Sequence, residues 1–172
     1  MPELTEFREE FKEEMIRVLN NRETAKWLLS PPFPYSEKDA DEFLSRYKNE
    51  ENSLTRNFAI VKDGKFIGGI GLKLKSEEYA EVGFYIDESQ RNKGYCSDAL
   101  IKILEYGFGK LNLPVIKAEV FEGNTASERV LSKCGFKFEK ESEQAERLGV
   151  TYNTKLFKIE KAEFIQRITK KI

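Results

Sequence analysis

Apolar residues along this chain change their period twice, and the changes divide it into elements. From Glu6 to Ser30, "EFREEFKEEMIRVLNNRETAKWLLS" carries Phe7, Phe11, Met15, Val18 and Leu19 at helical spacing before the proline-rich turn "SPPFPYS". Ser36 then has the character of an N-cap for "EKDADEFLSRYKNE", where Ala40, Phe43, Leu44 and Tyr47 mark a second amphipathic helix. After that the period drops to two. "NFAIVKDGKFIGGIGLKL" reads as two strands joined at Asp63-Gly64, residues that tolerate the positive φ of a tight hairpin, and "EYAEVGFYI" supplies a third strand.

The helical period returns after "RNKG", with Ala99, Leu100, Ile103, Leu104, Phe108 and Leu111 on one stripe. Pro114 breaks into the strand "VIKAEVF"; "NTASERVLSKCGF" is a short helix closing at Gly135. Two strand candidates follow, around Phe136–Phe138 and "TYNTKLFKIE", separated by the charged stretch "EKESEQAERLG", and "KAEFIQRITKK" is a last short helix. Two helices, three antiparallel strands, helix, strand, helix and strands describe a mixed α+β domain. With no repeat or linker, 172 residues read as a single domain, 1–172.

Composition narrows the chemistry. A formal net charge of −1 gives no reason to expect nucleic acid or an anionic membrane as partner. The absence of histidine removes Ser-His-Asp and Cys-His nucleophile schemes and the usual zinc sites. Cys96 and Cys134 have no metal spacing, and two sparse thiols suit a reducing compartment. "MPELTEFREEFKEEM" is acidic without an apolar signal core, so a cytoplasmic setting is expected.

One turn carries a phosphate signal. In "AEVGFYIDESQRNKGYCSDAL" a strand passes through a basic turn into a helix starting near Gly94. Free N–H groups and the positive dipole end of that helix point back at the turn, Gly94 lets an anion approach the backbone, and Arg91 and Lys93 add positive charge. A solvated basic turn is the plainer reading of the same residues. "GKFIGGIG" carries no such signal: its glycines lie within strands, where turns, bulges and close backbone contacts call for them.

With Arg91-Asn92-Lys93-Gly94-Tyr95-Cys96 between strand and helix, "AEVGFYID" before it and "NTASERVLSKCGF" after it, the chain resembles the GNAT superfamily of N-acetyltransferases, in particular its Rim-type ribosomal-protein branch. The likeness runs from about Phe58 to Phe164, the expected acetyl-CoA-binding core. Cys96 departs from the family's Gly or Ala, Asn92 replaces a frequent glycine, and the family's opening strand is not evident before the first helix.

The resemblance implies a mostly antiparallel twisted sheet flanked by helices, with "EVGFYI" and "IKAEVF" as a parallel pair that splays apart to admit the pantetheine arm of acetyl-CoA. It implies cofactor contacts at Phe84, Tyr85 and Ile86, a pyrophosphate on the amides of Arg91, Asn92, Lys93, Gly94, Tyr95 and Cys96, and no metal. Acetyl transfer would proceed by direct attack of a primary amine, on a protein N-terminus or a small molecule, in a ternary complex. Glu81 is implied as the base acting through water, or is a surface glutamate ending a strand. Ser127 is implied as proton donor to the leaving thiolate and Asn124 as a cofactor contact; both residue types also suit the first turn of a helix. Cys134 and Cys96 read as packing residues, though a helix start lowers thiol pKa values. Trp27 and Tyr35 flank the proline-rich turn as core anchors or acceptor contacts, and "KESEQAERLG" and "NEEN" offer acidic residues to a cationic acceptor. The acceptor's identity stays open, as does the choice between monomer and homodimer. A non-catalytic acyl-CoA-binding module on the same scaffold is the alternative.

Overall fold

A computed structural model describes residues 1–47 and 53–170; "NEEN" lies outside the described residues. The chain opens with a short strand, β1 (Glu3–Thr5), then a 3-10 turn and helices α1 (Lys12–Leu19), α2 (Arg22–Ala25) and α3 (Glu37–Tyr47). Strands β2 (Thr55–Lys62), β3 (Lys65–Leu74) and β4 (Tyr79–Ile86) precede α4 (Tyr95–Glu105), which loosens into a π turn at Tyr106–Lys110. Strand β5 (Val115–Phe121), helix α5 (Thr125–Cys134), strands β6 (Lys137–Glu141), β7 (Ala145–Arg147), β8 (Val150–Tyr152) and β9 (Thr154–Glu160), and helix α6 (Lys161–Thr169) complete it.

Seven strands form one sheet in the order β1-β2-β3-β4-β5-β9-β6. All neighbours are antiparallel except β4 and β5. The expected α+β class and its parallel pair are therefore present. Each face of the sheet is apolar and is covered by helices. Leu100, Ile103, Leu104 and Leu131 of α4 and α5 pack with Ile116 and Ile159 on one side; Phe7, Phe11, Met15, Val18 and Leu44 pack on Ala59, Val61 and Phe66 on the other. Burying each large aliphatic side chain contributes about 1.5–3 kcal/mol, which holds the two layers against the sheet between them.

Four local readings of the sequence need correction. The opening strand exists: Glu3, Leu4 and Thr5 pair with Val61, Ile60 and Ala59. Three residues are too few to display a period, so only the partner strand reveals it. The first helical segment is broken at Asn20-Asn21, where Asn21 Oδ1 accepts from the N–H groups of Glu23 (2.8 Å) and Thr24 (3.3 Å) and starts α2. "TYNTKLFKIE" is two strands rather than one, parted at Asn153, whose carbonyl accepts from Glu122 N–H. The charged stretch ahead of it contains a hairpin, β7–β8, turning at Leu148 and Gly149 with φ of 52° and 77°. Leucine rarely adopts positive φ, so that turn has no sequence signature.

Other local expectations match their physical cause. Ser36 Oγ accepts from Asp39 N–H (3.2 Å), while Asp39 Oδ2 accepts from Ser36 N–H (2.7 Å), so α3 starts with a reciprocal cap. A Cβ on Gly69 would stand 2.7 Å from Cε1 of Tyr85, so the glycine within β3 makes room for that ring on β4.

Candidate active site

Strands β4 and β5 pair only at their starts, where Tyr79, Ala80 and Glu81 stand beside Val115, Ile116 and Lys117. β4 continues to pair with β3 as far as Ile86, and β5 with β9 as far as Phe121. Beyond Glu81 the two parallel strands part, which frees the β4 edge from Val82 to Ile86 on the side facing β5. Alternation along β4 sends Phe84 and Ile86 toward the α4–α5 layer and Tyr85 toward the α1–α3 layer.

Two cavities meet at this opening. One of about 670 Å³ lies on the α1–α3 side of the sheet; one of about 440 Å³ lies between α5 and the turn before α4. Trp27, Leu28, Phe84, Tyr85, Asn124 and Ser127 line both and mark the junction.

The smaller cavity has the features of a phosphate cradle. Gly94 caps α4 with φ of 82°, and Asn92 also has positive φ, at 61°. Both are left-handed conformations, and Gly94 places no side chain where α4 begins and its first N–H groups lack helix partners. Arg91, Asn92, Gly94, Tyr95 and Cys96 all line this space with Phe84, Tyr85, Ile86 and Asn124. Lys93 does not; its Nζ donates to Gln90 Oε1 (3.1 Å) at the surface. Arg91 is not a free cation either, since its Nη2 donates to the buried Thr24 hydroxyl at 2.8 Å. Burial pushes the Cys96 thiol up to about 12, with the nearby thiol of Cys134 adding to the effect, so it stays neutral in spite of the helix start.

Contacts from α1 and α2 hold this turn in place. Arg17 pairs with the buried Asp87, Asn21 Nδ2 donates to Glu88 Oε2 (2.6 Å), and Thr24 receives Arg91. Burial works against the Asp87 charge, but the hydrogen bonds from Arg17 and Ser89 outweigh it and hold the carboxyl below its ordinary range.

The larger cavity carries carboxylates. Asp39 and Glu42 from α3, Glu81 from β4 and Glu119 from β5 line it, with Arg46 and Lys73 as the cations. The stretch "KESEQAERLG" contributes nothing to this lining. Glu81 sits at the last paired position of the splay with Oε2 3.3 Å from Lys75 Nζ. Four strand residues, about 13 Å, separate it from Tyr85 at the junction. Glu81 and Ser127 both line this cavity.

Glu119, a second carboxylate of the same cavity, was not singled out from the sequence. It lies two residues beyond Lys117, on the lip of β5 that faces Gly83 across the opening, and a Cβ built on Gly83 would meet nothing within 4 Å. Its Oε1 accepts from the hydroxyl of Thr154 at 2.7 Å, and Thr154 is fully buried. The one signal for it in the sequence was a carboxylate in alternation with Lys117 inside the otherwise apolar "VIKAEVF".

Asn124 caps α5, its Oδ1 accepting from Ser127 N–H at 3.2 Å. This leaves the half-buried Ser127 on the wall shared by both cavities. Trp27 and Phe121, which line the larger cavity with Ser127, each pack a tilted ring on Tyr152, with centroids 5.8 Å and 4.8 Å apart. Tyr35 lines the larger cavity, and burial together with Asp39 pushes its phenol up to about 12. Burial raises Tyr85 as well, so both phenols are neutral donors near neutral pH.

A parallel pair that parts, a glycine-capped helix mouth and a carboxylate-lined cavity meet at one point. The chain belongs to the GNAT acetyltransferase domain family, whose model matches residues 3–137. Among its relatives, the ribosomal-protein-serine acetyltransferase of Escherichia coli is 30% identical over 128 residues, covering 72% of this chain and 70% of the relative. The uncharacterised N-acetyltransferase YnaD of Bacillus subtilis is 33% identical over 111 residues, 63% of this chain and 64% of YnaD. The chain thus spans less than two thirds of the length of the first curated relatives it matches. The spermidine N-acetyltransferase of Vibrio cholerae, solved with coenzyme A and spermine, shares the fold with a TM-score of 0.83 at 21% identity, covering 95% of this chain and 98% of the other. RimL, a ribosomal-protein α-N-acetyltransferase solved with coenzyme A, also has a TM-score of 0.83, at 18% identity with 92% and 93% covered.

Proposed function

We propose that this protein is an acetyl-CoA-dependent N-acetyltransferase that acetylates a primary amine, on a protein N-terminus or on a small polyamine. The observation that carries this reading is the meeting of the two cavities at Tyr85 and Ser127. One is lined by helix-mouth amides and cations, the other by carboxylates. Such a junction lets an anionic acyl donor and a cationic amine enter from opposite sides and meet.

Acetyl-CoA supplies a thioester-activated acetyl group; the residues of the chain do the rest. Amides from Asn92 to Cys96 hold the pyrophosphate, and the free β4 edge from Val82 to Ile86 holds the pantetheine and directs N–H groups at the developing oxyanion. The acceptor's ammonium must lose a proton before its nitrogen lone pair can form the C–N bond. Glu119, fixed by Thr154 beside the open space at Gly83, receives that proton directly or through water. As the C–S bond breaks, the Ser127 hydroxyl donates a hydrogen bond to the departing thiolate, which takes up the proton that the acylated nitrogen loses. An α-amine with a pKa near 8 is about one-tenth neutral at pH 7, while an alkylamine near 10.4 is neutral to only about 4 parts in ten thousand. The carboxylate therefore matters more for a polyamine than for a protein N-terminus.

Cys96 and Cys134, neither of them in a disulfide, support a reducing, cytoplasmic setting. Among the described residues no helix is long and apolar enough to cross a membrane. The test is thiol release from acetyl-CoA with serine-initiated peptides and polyamines as acceptors. Turnover with one class supports the reading. Tight acetyl-CoA binding without turnover on either class would instead leave a non-catalytic acyl-CoA-binding module.

A further inference from the structure

Six charged side chains line the larger cavity among the described residues, and they are not equally engaged. Each of the four carboxylates has a partner. Asp39 accepts from Ser36 N–H (2.7 Å), Glu42 stands 3.8 Å from Lys38, Glu81 pairs with Lys75, and Glu119 accepts from Thr154. The two cations, Arg46 on α3 and Lys73 on β3, have no hydrogen-bond or ion-pair partner for their side chains among the described residues. Nearby carboxylates are turned elsewhere. Lys73 stands opposite Glu81 in the ladder, yet Glu81 reaches Lys75; Glu42 is one helical turn before Arg46, yet reaches Lys38. The carboxylates of the cavity are thus offset within the chain, and the two cations are not.

The sheet fixes where Lys73 stands relative to the reacting amine. Asn57, Gly71 and Gly83 form one row across β2, β3 and β4, with Glu119 beyond the opening on β5. Thr55, Lys73 and Glu81 form the next row on the same face, farther from the junction at Tyr85. A Cβ on Gly83 would meet nothing within 4 Å, so the floor beside Glu119 is bare backbone. An amine resting there is one strand over and two residues along from Lys73, about 8 Å between backbones. An extended peptide advances about 3.3–3.6 Å per residue, which brings its second or third residue level with Lys73. Arg46 enters from the opposite wall, near enough to Tyr35 for its charge to oppose the upward push of burial and Asp39 on the phenol. A second ammonium on the acceptor at that depth is repelled by these cations, whereas a carboxylate or phosphate is held by them.

We infer that Arg46 and Lys73 bind an anionic group on the acceptor, and that the protein acetylates primary amines carrying a carboxylate or phosphate two or three residues' length from the nitrogen in preference to polyamines. The inference rests on the N-acetyltransferase reading above and narrows its acceptor. Glu119 serves the amine end, and the α3–β3 pair of cations serves the anionic end.

Steady-state acetylation of amidated tetrapeptides Ser-Ala-X-Ala, with X aspartate, phosphoserine, asparagine or lysine, and of spermidine tests this. The wild type should show kcat/KM about tenfold higher for the aspartate or phosphoserine peptide than for the asparagine peptide, with the lysine peptide and spermidine lowest. A gain with either anion supports the inference, and the larger gain tells carboxylate from phosphate. The preference should shrink as salt is added. In the Arg46→Gln/Lys73→Gln variant it should disappear, while titration shows acetyl-CoA still bound; both side chains are exposed, so the fold survives the change. A Lys65→Gln/Lys140→Gln variant, altering two exposed lysines outside the cavity, should keep the preference. Equal kcat/KM for the anionic and asparagine peptides, faster turnover of spermidine or the lysine peptide, or an undiminished preference in the Arg46→Gln/Lys73→Gln variant overturns the inference and leaves the N-acetyltransferase reading intact. Absence of turnover with every amine overturns both.

Discussion

The hydroxyl of Thr154 lies 2.7 Å from Oε1 of Glu119 and 2.6 Å from the backbone carbonyl of Glu143. It has one proton and two acceptors, at a position closed to water. That arrangement ties the lip of β5 to the chain leading into the β7–β8 hairpin and fixes the Glu119 carboxylate at the cavity wall.

Glu119→Gln should lower kcat by about a hundredfold or more, the usual loss when a general base is removed, with coenzyme A affinity unchanged. Glu81→Gln should lose far less, because Glu81 is paired with Lys75 away from the junction. Steady-state kinetics on both variants decide between the two carboxylates; a larger loss for Glu81→Gln reverses the assignment. Thr154→Val should cost about 0.5–1.5 kcal/mol, the usual net value of one hydrogen bond, and should reduce kcat more than it alters KM for acetyl-CoA.

Gly94→Ala tests the helix mouth. The added methyl would meet nothing within 4 Å, but φ of 82° is strained for any residue with a Cβ. A cost of about 1–2 kcal/mol should lower Tm by about 2–8 °C for a chain of this size. Coenzyme A affinity should fall by about tenfold or more if the backbone shifts its amides to relieve the strain. Calorimetry and titration on one sample separate the two effects.

Gly69→Ala acts on the other side of the junction. Its Cβ would fall 2.7–2.8 Å from the Tyr85 ring and hydroxyl, so the ring must move into the cavity. Overpacking of this kind costs about 1–3 kcal/mol. KM for the amine should rise, and a variant with unchanged acceptor kinetics would show that Tyr85 does not shape that cavity.

Asp87 sets an acid limit on the phosphate turn. Its folded-state pKa is depressed, so its contribution to stability is present above the unfolded value of about 3.9 and fades as pH falls through the lower folded value. Asp87→Asn should therefore destabilise the protein by about 1–3 kcal/mol at pH 7. The gap between variant and wild type should narrow as pH falls below the unfolded carboxylate value and through the lower folded one, measured as urea midpoints across that range. A gap that stays constant with pH would mean the Arg17–Asp87 pair contributes by shape alone.

Sequence alone determined the elements with long, regular periods and the phosphate turn. Its signals are local, since the spacing of Leu100, Ile103 and Leu104, the hairpin at Asp63-Gly64 and the cap glycine at 94 each act within a few residues. Only the tertiary structure revealed β1, whose three residues are a strand because β2 offers an edge, and the β7–β8 turn, where Leu148 takes a conformation its type disfavours. It also set the partners of the two carboxylates, Lys75 beside Glu81 and Thr154 beside Glu119. Glu81 and Glu119 look alike in sequence, one on each parallel strand. The point where those strands stop pairing, and the buried Thr154 from β9, are long-range facts that no local period encodes.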